Sequence, residues 1–280
     1  MLEFPNLDNF LKTALEEDLG QGDITSRACV AEGMISHGRF IAKEAGVLCG
    51  LPFVRRVFAL LDPTIDFYPE VNEGDKLAVG DQIATIAGNS RAILAGERVA
   101  LNLMQHLSGI ASATTEAVRE IRGTGAKICD TRKTIPGLRS VQKYAVRIGG
   151  GVNHRYNLAD AVLIKDNHIV AAGGILAAIE AARRTIPHTM KIEVETETLL
   201  GVAEALEAGA DIIMLDNMDT QTMIESVRLI AGRAVTEASG NITIRRLRAV
   251  ADTGVDYISM GALTHHVRAL DISLCFEDRP

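Results

Sequence analysis

The sequence predicts an α/β protein whose larger part is a parallel sheet flanked by helices, preceded by a region of short strands. Three observations predict it. Between residues 127 and 261, short apolar runs each end in a polar residue and recur at a steady interval. Glu195 to Asp216 is 21 residues, Asp216 to Ser239 is 23 and Ser239 to Gly261 is 22. That is room for one strand, a loop, one helix and a loop back. The intervening pieces carry one apolar helix face each: Leu199, Val202, Ala203 and Leu206, then Leu247, Val250 and Ala251. Each face stops at a glycine, Gly209 or Gly254, where a helix ends. Repeated strand-then-helix units imply parallel strands, because a strand returning in the same direction needs a crossover. Residues 34–87 lack this rhythm and show brief apolar pieces separated by Gly, Pro, Asp and Asn, the pattern of short strands and turns.

In chain order, Phe4, Leu7, Phe10, Leu11, Ala14 and Leu15 share a helical spacing over residues 3–19, and Gly20 stops that helix. Residues 20–25 read as a turn. Strands are expected over 34–42, 46–49, 65–68 and 82–87, with one helix over 55–61. Residues 71–88 have the style of the hammerhead strands of biotinyl and lipoyl carrier domains, without the lysine those carriers display in the hairpin turn. Residues 91–121 form the longest helical stretch, broken near Ser108-Gly109. From there the strand-and-helix rhythm begins with the run ending at Cys129. No Gly-x-Gly-x-x-Gly turn follows that first strand, which weakens a dinucleotide-binding reading. A barrel and an open doubly wound sheet both remain compatible with the rhythm.

The 280 residues are 47% hydrophobic and 23% charged, enough for a sizeable core in one large or two modest domains. A net charge of −7 disfavours a general nucleic-acid binder, and 4% aromatic residues with no Trp disfavour base stacking. No apolar run reaches the roughly 18 residues that a membrane span needs. The first eight residues show neither a basic leader nor an apolar core. Cys29, Cys49, Cys129 and Cys275 are scattered without a Cys-x-x-Cys pair, consistent with reduced thiols in a cytoplasmic protein.

One stretch departs from the acidic background. Between Arg132 and Lys165 lie Arg132, Lys133, Arg139, Lys143, Arg147, Arg155 and Lys165, with His154, against the single acid Asp160. Seven cations less one anion leave an excess of six, which repel unless something negative neutralises them. A cluster rich in Arg and interleaved with Pro and Gly favours a ligand bearing several carboxylates or phosphates. In a barrel, all strand C-termini converge, so Arg132, Lys133, Lys165, Glu195, Asp216, Ser239 and Gly261 ring one mouth. Glu195 and Asp216 suit sugar hydroxyls or magnesium. Ser239-Gly240 and Gly261-Ala262 stand before helices, where free N–H groups favour a phosphate. A metal set of Asp166, His168, Asp216, His265 and His266 lacks any His-x-His or Glu-x-x-His spacing. A glycosidase using Glu195 with Asp216 leaves the cationic half of the mouth without a role.

At these residues the sequence resembles the quinolinate phosphoribosyltransferase family. The resemblance spans nearly the whole chain: Glu17-Asp-Leu-Gly-Gln-Gly-Asp-Ile-Thr, Glu97-Arg-Val-Ala-Leu-Asn, Asp130-Thr-Arg-Lys-Thr-Ile-Pro-Gly-Leu-Arg, Gly149-Gly-Gly-Val-Asn-His-Arg, Leu163-Ile-Lys-Asp-Asn-His, Glu193-Val-Glu, Leu215-Asp-Asn-Met, Glu237-Ala-Ser-Gly and Gly254-Val-Asp-Tyr-Ile-Ser-Met-Gly-Ala-Leu-Thr-His. It implies an N-terminal α/β sandwich over residues 1–101, an incomplete α/β barrel over 102–267, and a tail, 268–280, that returns to the sandwich. It implies a homodimer in which each sandwich covers the partner's barrel, and transfer of phosphoribose to quinolinate with loss of CO₂. By this likeness Arg132, His154, Arg155 and Lys165 hold quinolinate, with Arg98 reaching across the dimer. Lys133 meets the phosphates of phosphoribosyl pyrophosphate, Glu195 and Asp216 its ribose hydroxyls and Mg²⁺, and Ser239, Gly240, Gly261 and His265 its 5′-phosphate. The catalytic set is Lys133, Glu195 and Asp216. Asn241 departs from the second glycine usual after Ser-Gly. A homologue associated with molybdate operons and an idle anion-binding protein are the alternatives on the same fold.

Overall fold

The structure, a computed structural model, describes residue 4 and residues 6–277. Glu3, where the expected first helix begins, residues 1, 2 and 5 of the stretch read for a leader, and residues 278–280 of the tail lie outside the described residues. The chain divides into two compact units. The first comprises residues up to 113, 135–149 and 267 onward; the second comprises 114–134 and 150–266. The sequence set the first boundary at 101/102, whereas the units change over at 113/114.

In the first unit, α1 (Leu7–Leu19) ends at Gly20, whose φ of 51° a side chain would resist. α2 (Ile24–Cys29) follows, capped by Asp23, which accepts from the Ser26 N–H at 2.9 Å. The sequence reading of a turn over 20–25 missed this helix, because six residues are too few to show an apolar period. Then come β1 (Ile35–Ala42), β2 (Gly46–Val47), α3 (Leu51–Leu61), β3 (Asp66–Pro69), β4 (Lys76–Leu77), β5 (Gln82–Asn89) and α4 (Ser90–Glu120). The sheet runs β12-β1-β5-β3, all antiparallel, where β12 (Ile272–Phe276) comes from the C-terminal tail and pairs with β1 from Gly38↔Phe276 to Ala42↔Ile272. Phe40, Phe58 and Phe67 pack edge-on and stacked within 6.4 Å of one another and, with Ile83 and Ile86, seal this unit's core.

α4 is unbroken, which corrects the expected break at Ser108-Gly109. Gly109 is there for a close approach. A Cβ on it would lie inside the Arg268 carbonyl oxygen, and the neighbouring Gln105 carbonyl accepts from Leu270 N–H at 2.9 Å. The glycine therefore admits the incoming tail; it does not end the helix. α5 (Arg139–Ile148) also groups with this unit.

The second unit holds β6 (Lys127–Cys129), β7 (Val162–Ile164), α6 (Asp166–Ala172), α7 (Ile175–Thr185), β8 (Ile192–Thr196), α8 (Leu199–Glu207), β9 (Ile212–Asp216), α9 (Thr220–Ile230), β10 (Val235–Ser239), α10 (Ile244–Ala251), β11 (Tyr257–Ser259) and α11 (Ala262–His265). The strands are parallel in the order β6-β11-β10-β9-β8-β7. From β7 to β11 each strand pairs with the next in sequence, with no reversal of direction. That is barrel winding, since a doubly wound sheet reverses at a switch point. No β6–β7 pairing closes it among the described residues; on its other side β6 makes only the single bridge Cys129↔Val152.

The two-residue side-chain period of β8, β9 and β10 sorts these strands. Ile192, Val194, Ile213, Leu215 and Ala238 are fully buried, while the alternate positions carry Glu193, Glu195, Met214, Asp216, Glu237 and Ser239. One face thus supplies a hydrophobic layer, at about 1.5–3 kcal/mol per fully buried aliphatic side chain. The other face is polar, an arrangement that stability alone does not require.

Candidate active site

Within the second unit a cavity of about 820 Å³ opens at the C-terminal ends of its strands, where barrel chemistry is found. Arg132 and Lys133 follow β6, Lys165 follows β7, Glu195 lies in β8, Asp216 ends β9, Ser239 ends β10 and Gly261 follows β11. These seven, with His154, Arg155, Gly240 and His265, all line that one cavity. Arg98 does not: it is exposed on α4, in the first unit. Nor do Arg139, Lys143 and Arg147, which sit four residues apart on α5 in the first unit. The basic run that reads as one cluster in the sequence is therefore split, and four of its seven cations face the cavity.

Arg155 anchors by donating from Nη1 to the Ala161 carbonyl at 2.9 Å. Burial, then the nearby Arg132 charge, pulls its proton affinity down. Glu193, Glu195 and Asp160 oppose that effect, and two arginines lining one cavity can still offer donors to an anionic ligand. Lys165 caps α6 and reaches Glu195 Oε1 in a close ion pair. Burial pushes the Glu195 carboxyl up while that ammonium pulls it down. Lys165 thus stands on the seam between the cationic and acidic halves.

His154 joins two carboxylates, Glu193 and Glu237, to which the sequence assigned no role. Glu193 and Glu237 are 3% and 4% exposed, and His154 Nε2 lies 3.1 Å from Glu193 Oε2 and 3.6 Å from Glu237 Oε1. His154 Nδ1 accepts from the Arg155 N–H at 2.8 Å, and the His154 N–H donates to the buried Asp130 at 2.9 Å. With Nδ1 an acceptor, Nε2 carries the ring proton and points it at the carboxylates. Burial, then the Glu193 charge, pushes the Glu237 carboxyl up to about 7. The available signal was parity: Glu193 is two residues from Glu195, and Glu237 two from Ser239, so each shares the inward face of a recognised residue. Among the described residues this trio is the one group of metal-ligating side chains within ligand distance of one another. The set Asp166, His168, Asp216, His265 and His266 is not assembled.

On the opposite side, the loops after β10 and β11 frame a small-residue cradle. Gly240 has a φ of 90°, and a Cβ on Gly261 would lie 2.9 Å from Lys133 Cδ and 3.1 Å from His265 Nε2. Gly261 thereby lets the Lys133 stem cross beside it. Thr264 Oγ1 donates to the Lys133 carbonyl at 2.7 Å and pins the lysine's backbone. Burial, then the neighbouring His266 and Lys133, holds the His265 imidazole below its ordinary range. α11 is a single turn of four residues, too short for a substantial dipole, so any phosphate affinity falls to the loop amides and to α10.

Comparison with known proteins agrees with this geometry. The sequence models of the quinolinate phosphoribosyl transferase N-terminal and C-terminal domains match residues 23–108 and 110–275. The chain is 48% identical over 258 residues to the probable carboxylating nicotinate-nucleotide pyrophosphorylase of Bacillus subtilis, covering 92% of this chain and 89% of that protein. It is 42% identical to the carboxylating nicotinate-nucleotide pyrophosphorylase of Mycobacterium leprae, covering 97% and 98%. Among solved structures, NadC from Streptococcus pyogenes superposes with a TM-score of 0.94 at 44% identity, covering 99% of each chain.

Proposed function

Since the chain belongs to the quinolinate phosphoribosyltransferase family, we propose that it transfers the phosphoribosyl group of phosphoribosyl pyrophosphate to quinolinate. Decarboxylation follows, giving nicotinate mononucleotide, CO₂ and pyrophosphate for NAD biosynthesis. The observation that carries this reading is the division of one cavity. Arg132 and Arg155 are close enough for one charge to perturb the other, and across Lys165 stand Glu195 and Asp216 beside a glycine-lined loop. A dianionic pyridine and a phosphorylated sugar are complementary to the two halves.

In this reading Arg132, His154, Arg155 and Lys165 hold quinolinate, and His154 Nδ1 also accepts from the Arg155 backbone N–H. Lys133 meets the pyrophosphate, and Ser239, Gly240, Gly261 and His265 surround the 5′-phosphate. The oxygen donors Glu195 and Asp216 fit magnesium, directly or through water, which when bound would neutralise charge on the diphosphate. As the C1–O bond breaks, the ribose gains positive character that the Glu195 and Asp216 carboxylates stabilise from fixed positions. The pyridine nitrogen attacks C1 and becomes cationic. Loss of CO₂ from the adjacent carbon leaves an ylide that this cation stabilises, and the ring carbon then takes a proton from water to give nicotinate mononucleotide. Holding both partners in line supplies much of the acceleration, so no protein nucleophile is needed. We further propose a homodimer in which Arg98, exposed on α4 and outside its own chain's cavity, completes the quinolinate pocket of a second copy.

The test is turnover of quinolinate with phosphoribosyl pyrophosphate and Mg²⁺, followed by nicotinate mononucleotide formation. Turnover of nicotinate or another acid in place of quinolinate would reject the assignment.

A further inference from the structure

The end of β9 and the loop after β10 are laced together by two asparagines. Asn241 Nδ2 donates to Asn217 Oδ1 at 3.0 Å, and Asn217 Nδ2 donates to Asp216 Oδ2 at 2.9 Å. The Asn217 N–H donates to the Ser239 carbonyl at 3.0 Å, and Asp216 and Ser239 are register partners in the sheet. A Cβ on Gly240 would lie inside the Asn217 side-chain amide, 2.9 Å from the Asn217 nitrogen, so the glycine and the asparagine are packed face to face.

Both asparagines sit in the left-handed region, with φ of 53° and 52°. Among the described residues only Ala231, at the end of α9, joins them there without being glycine. Asparagine is the side chain that tolerates this backbone while keeping an amide to offer. A glycine at 241 would satisfy the backbone equally well but could not reach Asn217. The asparagine therefore adds a side-chain link from the loop to a carboxylate.

We propose that Asn217 and Asn241 are positioning residues for the phosphoribosyl donor. Through their paired amides, the carboxylate that reads the ribose hydroxyls and the loop that reads the 5′-phosphate are held at a fixed spacing. The proposal rests on the reading of Asp216 and of the 239–241 loop given above. It assigns this role to two residues outside the expected donor set. Asp216 is aimed by Asn217, Asn217 by Asn241, and Asn241 is carried on the loop it helps to place.

The test compares wild type, Asn241→Gly, Asn217→Gly and the double variant in steady-state assays with quinolinate and phosphoribosyl pyrophosphate. Glycine keeps the positive φ, so the variants remove the amides without adding strain. Each single variant raises the KM for phosphoribosyl pyrophosphate about fivefold, the worth of one net hydrogen bond. The KM for quinolinate stays within about twofold. The double variant loses little more than either single one, because both break the same relay. An unchanged donor KM, a loss confined to kcat, an equal rise in the quinolinate KM, or losses that simply multiply would each overturn the proposal. Failure of the wild type to turn over quinolinate would instead defeat the functional reading, so the two failures are distinguishable.

Discussion

Glu237→Gln makes the barrel's buried acid measurable. The carboxyl is 4% exposed and is pushed up to about 7, first by burial and then by Glu193. In the unfolded chain it returns to its ordinary value of 4.5. Between those two values the folded protein holds a proton that the unfolded chain releases. This group's contribution to stability is therefore complete below about pH 4.5 and is lost as pH rises through about 7. The gap, at about 1.4 kcal/mol per pH unit, caps the loss at roughly 3 kcal/mol. Glutamine has the shape of the protonated acid and does not titrate. Urea unfolding of both proteins at about pH 5 and about pH 8 should show the variant gaining on wild type by roughly 1–3 kcal/mol at the higher pH. Groups unchanged by the substitution cancel in this comparison, while His154, which faces Glu193 and Glu237, accounts for part of any shortfall. A difference independent of pH, or one of opposite sign, would refute the reasoning.

Other perturbations test other links. Arg132→Ala should abolish quinolinate binding in calorimetry while sparing phosphoribosyl pyrophosphate, and equal loss of both would contradict the division of the cavity. Lys133→Ala should lower kcat by about 100-fold, as for loss of one preorganised charge partner, with quinolinate affinity unchanged; a normal kcat would remove Lys133 from the chemistry. Gly109→Ala would stabilise an isolated helix by about 1 kcal/mol. Here it should cost about 1–3 kcal/mol in chemical unfolding, because the new methyl meets the Arg268 carbonyl. A stabilised variant would show that the tail does not press on α4.

The parts of the molecule set by local rules were the parts legible in the sequence. The strand-to-strand interval located β8 to β11, and the polar residue ending each run located Glu195, Asp216 and Ser239 at one mouth. What escaped depends on partners distant in the chain. Gly109 looks like a helix breaker until the Arg268 carbonyl is seen beside it. Arg139, Lys143 and Arg147 look continuous with Arg132 until α5 groups them with the first unit. Glu193 and Glu237 look like ordinary strand polar residues until the curling sheet turns both inward onto His154. α2 left no trace because its cap, Asp23 to Ser26, is a hydrogen bond rather than an apolar pattern.

The central electrostatic idea, that paired guanidiniums select a doubly charged ring, is tested most directly by one calorimetric comparison. Quinolinate and nicotinate are titrated separately into the wild-type protein at the same ionic strength. The second carboxylate should make quinolinate bind at least about tenfold more tightly, the worth of one charge-assisted hydrogen bond. Equal affinities for the two acids would contradict the account.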